Sequence, residues 1–301
     1  MALTRRVLLP RAPGELEEHD AAPPAALADI FARNPDYAEF RKAYWYDFGP
    51  VFYRGRLDGS ARILCIASDP GPTECLPFVR RCLVGDAGQR VQGFLNKVGL
   101  TRSYVLVNAN TYALRPSQAT AGAQNMRKPE QIAWREELYT AVAGQKLQAI
   151  VIFGAQARAA FKLWAGKPTN VPVIDLPHPS SHDPQVLVDA YRAAVTRLRG
   201  IVTPDPDGRL DLPNYGPEWR EEDYARIPRR DLPAEAPIFV GDDSWGRADS
   251  PRHNNCVERP SPDDRRTLLL STPEGQLFRY RVPQVTQHSN AVPTFTKEQL
   301  Q

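Results

Sequence analysis

Four short runs of the chain are apolar without the alternation of a half-exposed strand: Arg62–Ala67 (RILCIA), Tyr104–Asn108 (YVLVN), Ala149–Phe153 (AIVIF) and Val171–Leu176 (VPVIDL). Strands buried on both faces read this way. Between them the apolar positions take up a helical period. Asp86 can cap "AGQRVQGFLNKVG", with Val91, Leu95 and Val98 on one face and Gly99 at its stop. Pro129 can open "PEQIAWREELYTAVAG", and Ala155–Ala165 and Pro184–Arg199 supply two more helices. Residues 25–48 also read as helical, interrupted at Pro35, with Phe40, Tyr44 and Phe48 recurring every four residues as one core-facing stripe. Strands alternating with helices predict an α/β fold: a three-layer α/β/α sandwich on a central four-stranded parallel sheet joined by right-handed crossovers.

The pattern stops near Gly200. Residues 201–301 hold 13 of the 29 prolines, and their one clear signal is "TLLLSTPEGQLFRYRV" (267–282), two β-prone runs around a Pro-Glu-Gly turn. The expected organisation is therefore an α/β/α domain with an N-terminal helical segment over 1–200, and an irregular, Pro-rich extension with a possible β-hairpin over 201–301. No internal repeat is visible.

Charge changes the picture slightly. The formal net charge is +3, but residues 201–301 carry 13 Lys+Arg against 17 Asp+Glu, so the basic excess lies in the first 200 residues. A basic domain suits a polyanion such as nucleic acid, although a solvated surface gives the same excess. No run of about 18 apolar residues marks a membrane span, and the apolar part of "MALTRRVLLPRAPGELEEHD" is short for a signal peptide. A cytoplasmic protein is expected. Cys65, Cys75, Cys82 and Cys256 form no CxxC pair and read as scattered thiols of a reducing compartment.

The candidate chemistry gathers where the strands end. The first runs into Ser68-Asp69-Pro70-Gly71-Pro72 with Glu74 beyond; the second ends in Asn108-Ala109-Asn110; the last ends in Asp175-Leu176-Pro177-His178-Pro179-Ser180-Ser181-His182. In a parallel sheet these ends share one edge, where open α/β sheets bind ligands. A carboxylate there can orient water and stabilise a cationic transition state, an amide can read the edge of a ring, and an imidazole can stabilise a leaving anion. Plainer readings stand beside these: Asp69 as a turn former, Asn108 as a strand-end cap, His178 as a surface loop residue. Ser181-His182-Asp183 has triad residue types, but three consecutive side chains diverge. His178 and His182 have zinc-ligand spacing, but Pro179 opposes a helix there and no third ligand is evident, so no metal is expected. The GxxxxGK[ST] phosphate loop is absent.

Taken in order, these segments resemble the uracil-DNA glycosylase superfamily over residues about 62–200. "SDPGPTE" is similar to the first motif of that superfamily, written GQDPY, GINPG or GEAPGxxE in its branches. "LVGDAGQRVQGFLNKVGLTRSYVLVNA", "NMRKPEQI", "AIVIFGAQARAAF" and "VPVIDLPHPSSH" follow in the order of the GEAPG branch, the last resembling its HPS motif. The resemblance implies a DNA glycosylase that flips out a base and cleaves its N-glycosidic bond, leaving an abasic site. It implies Asp69 as the water-activating carboxylate, His178 as the group that stabilises the departing base, and Asn108, with Asn110 nearby, as a reader of that base. Ser68, Pro70, Ser180, Ser181, His182 and Arg127 would contact DNA. The cysteines do not match the cluster-binding positions of the iron–sulfur members, so no cluster or other cofactor is expected, and the protein reads as a monomer.

Two positions depart from the resemblance. Gly71 stands where the GQDPY branch has a tyrosine beside the pyrimidine 5-position, and Leu83 where the GEAPG branch has a base-stacking phenylalanine. Both changes remove an aromatic wall and permit a bulky 5-substituent. "DPGPTE" and "LVGDAGQRVQGFL" also resemble a branch implicated in defence against phages whose DNA carries glucosylated hydroxymethylcytosine. That substrate is the favoured expectation. The alternatives are a uracil repair enzyme and a non-catalytic module that binds modified DNA.

Overall fold

The computed structural model describes residues 19–20, 23–181, 183–242, 245–247, 256–261 and 263–285. Its centre is a sheet in the order β1-β3-β2-β4-β5, formed by β1 (Tyr53–Gly55), β2 (Ile63–Ala67), β3 (Tyr104–Asn108), β4 (Ala149–Phe153) and β5 (Val173–Leu176). Strands β3, β2, β4 and β5 are parallel, with Ile63 opposite Tyr104 on one side and Ala149 on the other. The four expected strands are all present. The four-strand expectation lacks one member: β1 joins the edge antiparallel to β3, with Tyr53 opposite Val107. Three residues ending in a glycine leave too short a pattern to read as a strand.

Side-chain alternation divides the sheet into two apolar layers. Ile63, Cys65 and Ala67 face α2 (Asp86–Val98) and α6 (Pro184–Arg199). Leu64 and Ile66 face α1 (Ala25–Ala32), α4 (Pro129–Val142) and α5 (Gly154–Leu163). This is the three-layer sandwich. Helix α2 begins after Gly85, so Asp86 is its first residue rather than its cap, and it ends on Gly99 in the left-handed conformation (φ 90°). A helix absent from the sequence expectation, α3 (Ala119–Met126), precedes α4.

The aromatic stripe resolves differently from a single helix. After α1 the chain makes two short 3-10 turns, Ala38–Ala43 and Tyr46–Phe48, with Tyr44 extended between them (φ −119°, ψ 158°). Tyr44 packs with Tyr37 and Tyr112, whereas Phe48 packs with Trp45, Leu76 and the C-terminal segment.

The segment after α6 folds onto the sandwich. Asp205 accepts the backbone N–H groups of Thr101, Arg102 and Ser103 at 2.8, 2.8 and 3.0 Å, just before β3. Lys97 pairs with Asp223 at 3.0 Å, and the wholly buried Arg54 pairs with Asp231 at 3.3 Å. Farther on, β6 (Val257–Glu258), β7 (Thr267–Ser271) and β8 (Leu277–Arg281) form an antiparallel sheet in that order. The expected hairpin is its β7–β8 pair. Its buried Leu268, Leu270 and Tyr280 share a third apolar core with Trp45, Phe48, Leu76, Val79 and Val84. Side chains of this size contribute about 1.5–3 kcal/mol each on burial. The extension is thus held against the loop that follows β2. Among the described residues no helix is long and apolar enough to cross a membrane.

Candidate active site

A cavity of about 550 Å³ opens at the C-terminal edge of the parallel sheet. Its lining includes Ser68, Asp69, Pro70 and Gly71 after β2, Leu83 before α2, and His178 and Ser180 after β5. These pieces lie far apart in sequence, and the parallel topology brings them to one edge.

Asp69 accepts the backbone N–H of Leu114 at 2.8 Å through Oδ2. Burial drives its carboxyl pKa up to about 6; the Leu114 hydrogen bond and the charge of Arg259 act in the opposite direction. The result is a carboxylate poised close to neutral pH, the range in which a general base works best.

His178 is half-buried, and its Nδ1 accepts the backbone N–H of Ser180 at 3.2 Å. Burial lowers its pKa to about 4. At neutral pH the ring is therefore uncharged, and the bond at Nδ1 assigns its one proton to Nε2. The loop is fixed from both sides. Arg90 of α2 donates to the carbonyl of Pro179 at 3.0 Å, and Ser181 N–H donates to the carbonyl of His178 at 2.8 Å. Beneath it lies Gly154, at φ 85°, where a Cβ would stand 3.0 Å from that of His178.

Leu83 is held in an unusual backbone. Its φ is 53°, a conformation that costs a bulky residue on the order of 1–3 kcal/mol and persists only where neighbours enforce it. The neighbours are identifiable. Glu74 Oε1 accepts Val84 N–H at 2.8 Å and Gly85 N–H at 3.3 Å. Gly88 lets α2 press against the turn, since a Cβ there would sit 1.8 Å from the Leu83 carbonyl oxygen. The wall that Leu83 contributes is thereby built in advance of any ligand.

The other expected residues fall in several places. Asn108 is 2% exposed at the end of β3, on the layer that faces α2. It is not part of the cavity lining, and neither its Oδ1 nor its Nδ2 has a hydrogen-bond partner among the described residues. A buried amide without partners costs about 1–3 kcal/mol for each unmade bond, and the Asn108 side chain makes none of the local backbone bonds that a strand-end cap requires. The strand-end cap reading of Asn108 therefore has no support. Asn110 is buried, accepts from the Tyr44 hydroxyl at 3.0 Å and is not among the residues lining the cavity, although its backbone N–H donates to the carbonyl of the lining residue Ser68 at 2.9 Å. Arg127 is exposed and borders a different cavity, between α3 and α5. Ser181 lies next to the His178 loop, and His182 lies outside the described residues.

The cavity's fourth side was not foreseeable from local sequence. Gly246, Cys256, Val257 and Arg259 reach it from the C-terminal extension. Contacts across some 180 residues of chain leave no local periodicity or motif to find them by. The four cysteines are all buried and form no disulfide, and among the described residues no group of three or more His, Cys, Asp or Glu is placed to hold a metal ion.

No curated protein matches the chain. A family model does: residues 54–183 match the Uracil DNA glycosylase superfamily, a span that runs from β1 through the loop bearing His178 and includes Asp69, Leu83 and Asn108. Fold, motif order and family match coincide on one stretch: residues 54–183 form a domain of the Uracil DNA glycosylase superfamily.

Proposed function

We propose that this protein is a monofunctional DNA glycosylase that flips an altered pyrimidine out of DNA and excises it, leaving an abasic site. The observation that carries the reading is that Asp69 and His178 face one cavity in complementary states, a carboxylate with a raised pKa opposite a neutral imidazole.

The chemistry follows from those states. A base stacked in a duplex hides its sugar carbon, so the nucleotide enters the cavity extrahelically. The C1′–N1 bond lengthens and positive charge grows on the sugar, which the Asp69 carboxylate stabilises. The electron pair leaves with the base. Nε2–H of His178 donates to the developing oxyanion at O2, and a neutral donor gives that help without adding a proton to the base. Water oriented by Asp69 forms the new bond to C1′ and passes its proton to the carboxylate. Asn108 offers both a donor and an acceptor, which fits the edge of a pyrimidine once the base has seated.

The favoured substrate is a bulky modified cytosine, such as glucosylated hydroxymethylcytosine in phage DNA, which would make the protein an antiviral defence enzyme. Support comes from the walls. Leu83 presents an aliphatic side chain where a stacking ring would hold unmodified uracil, and among the described residues no Phe, Tyr or Trp lines the cavity. Its volume also falls within the range of sites for ligands larger than a single ring.

The test is to incubate the full chain with oligonucleotides bearing uracil, hydroxymethylcytosine or glucosylated hydroxymethylcytosine, then cleave abasic sites with alkali. Strand scission confined to the glucosylated base supports the defence reading. Scission at uracil alone makes the protein a repair enzyme, and tight binding with no scission on any base makes it a recognition module.

A further inference from the structure

Arg259 reaches the cavity from outside the superfamily domain. Its guanidinium lies 4.8 Å from the ring centre of Trp45, and Nη2 donates to the Cys75 sulfur at 3.6 Å. Its Nε has no hydrogen-bond partner among the described residues. A cation stacked on an aromatic face is fixed in place while donors stay available to a ligand. The place matters too. Cys75 lies on the loop that begins at Gly71, the loop that the superfamily resemblance sets beside the pyrimidine 5-position. Val257 and Cys256 line the same wall.

We propose that Arg259 is a specificity-determining residue, donating hydrogen bonds to hydroxyl oxygens of a sugar carried on the 5-position of the flipped pyrimidine. The inference rests on the glycosylase reading for its substrate and names a contact that reading does not contain. The C-terminal extension, on this view, is the reader of the modification, and the superfamily domain supplies the chemistry. A planar cluster of donors suits a polyhydroxylated group better than it suits the bare hydrogen of uracil or cytosine at that position. The same guanidinium chemistry would suit a backbone phosphate, and the test separates the two.

Arg259→Met and Arg259→Lys are compared with the parent protein in two assays. The first measures excision from oligonucleotides carrying hydroxymethylcytosine or its glucosylated form. The second measures binding of the same oligonucleotides in an Asp69→Asn background, at two salt concentrations. Arg259→Met is expected to weaken binding of the glucosylated oligonucleotide about 10- to 100-fold more than that of the unglucosylated one. Arg259→Lys should restore part of the difference. Equal losses on both oligonucleotides, with a shallower salt dependence, would mark a phosphate contact and overturn the proposal. So would unchanged preference in a variant whose melting temperature matches the parent. Because binding is read without turnover, a protein that cleaves nothing yet loses its preference through Arg259→Met defeats the enzyme reading and not this one. A protein that cleaves but never discriminates by the sugar defeats this one alone.

Discussion

The backbone N–H of Leu114 donates to Oδ2 of Asp69 at 2.8 Å, tying the loop after β3 to the loop after β2 at the mouth of the cavity. This bond orients the carboxylate, but burial still dominates its titration and leaves the pKa near 6. Asp69→Asn keeps the shape and removes the charge. It should slow base release by about 10²–10⁴-fold while leaving DNA binding largely intact. Turnover at the parent rate would remove Asp69 from the mechanism.

The same substitution should stabilise the protein at neutral pH. The folded-state pKa, about 6, lies above the ordinary 3.8, so the folded protein holds this proton more tightly than the unfolded chain does. The resulting penalty is absent below about pH 3.8, grows as pH rises through the interval, and is complete above 6. Asparagine never ionises and escapes it. Asp69→Asn is expected to gain up to about 3 kcal/mol at pH 7.5, and the gain should vanish near pH 4. Chemical denaturation at the two pH values measures it.

Excision by the parent protein should rise with pH through about 6 and then level off. Asp69 must be ionised to act, whereas His178, with its pKa near 4, is already neutral throughout that interval. A single-turnover rate profile between pH 3 and 8.5 reads the ascending limb. A limb centred near 4 instead would assign control to the imidazole.

His178 is reached through Gly154. His178→Ala removes one donor to the departing base and should cost about 10²–10³-fold in rate with the fold retained. Gly154→Ala tests the support. Its φ of 85° disfavours any side chain, and the new Cβ would stand 3.0 Å from that of His178. The expected outcome is a loss of about 1–3 kcal/mol of stability together with slowed excision. Parent-like excision by correctly folded Gly154→Ala would show that His178 tolerates displacement.

How far the sequence foretold these features depended on how local their causes were. Strands β3 and β4 were legible to the residue because both faces of each are buried and each run is apolar up to its last residue or the one before it. Asp69 and His178 were legible because each sits where an apolar run meets prolines. Helix α3, ATAGAQNM, was not, since its small and polar residues carry no apolar period. The aromatic stripe misled because spacing by four is equally available to two 3-10 turns around an extended Tyr44. Arg259 was out of reach: nothing in "CVERP" announces a partner at Trp45 or Cys75.

Asp205 tests how firmly the extension is docked. Burial alone would raise its pKa, but the Ser103 hydroxyl and the amides of Arg102, Ser103 and Thr101 outweigh it and hold the carboxyl below its ordinary value. The stability it supplies is therefore present above the unfolded pKa and is lost as pH falls through the folded one. Asp205→Ala leaves three backbone N–H groups without their acceptor, that of Ser103 buried and those of Thr101 and Arg102 partly so, and should cost about 2–4 kcal/mol at pH 7, measured by denaturant melts. A change below about 0.5 kcal/mol would mean that solvent replaces the carboxylate without penalty.

The cavity wall offers the sharpest choice of substrate. Gly71→Tyr is a poor probe, because a Cβ there would stand 2.7 Å from Glu74 Oε2 and disturb the carboxylate that holds Val84 and Gly85. Leu83→Phe leaves the backbone alone: both residues bear a side chain, so the strain at φ 53° is unchanged. The ring restores a stacking surface, and base–aromatic stacking is worth about 1–3 kcal/mol. Leu83→Phe should therefore shift the ratio of excision rates toward uracil, and away from glucosylated hydroxymethylcytosine, by about tenfold or more. The ratio is measured on matched oligonucleotides at one salt concentration, since DNA affinity itself varies with salt. If the parent already excises uracil well and Leu83→Phe leaves the ratio where it was, Leu83 is a packing residue and the aliphatic wall does not select the base.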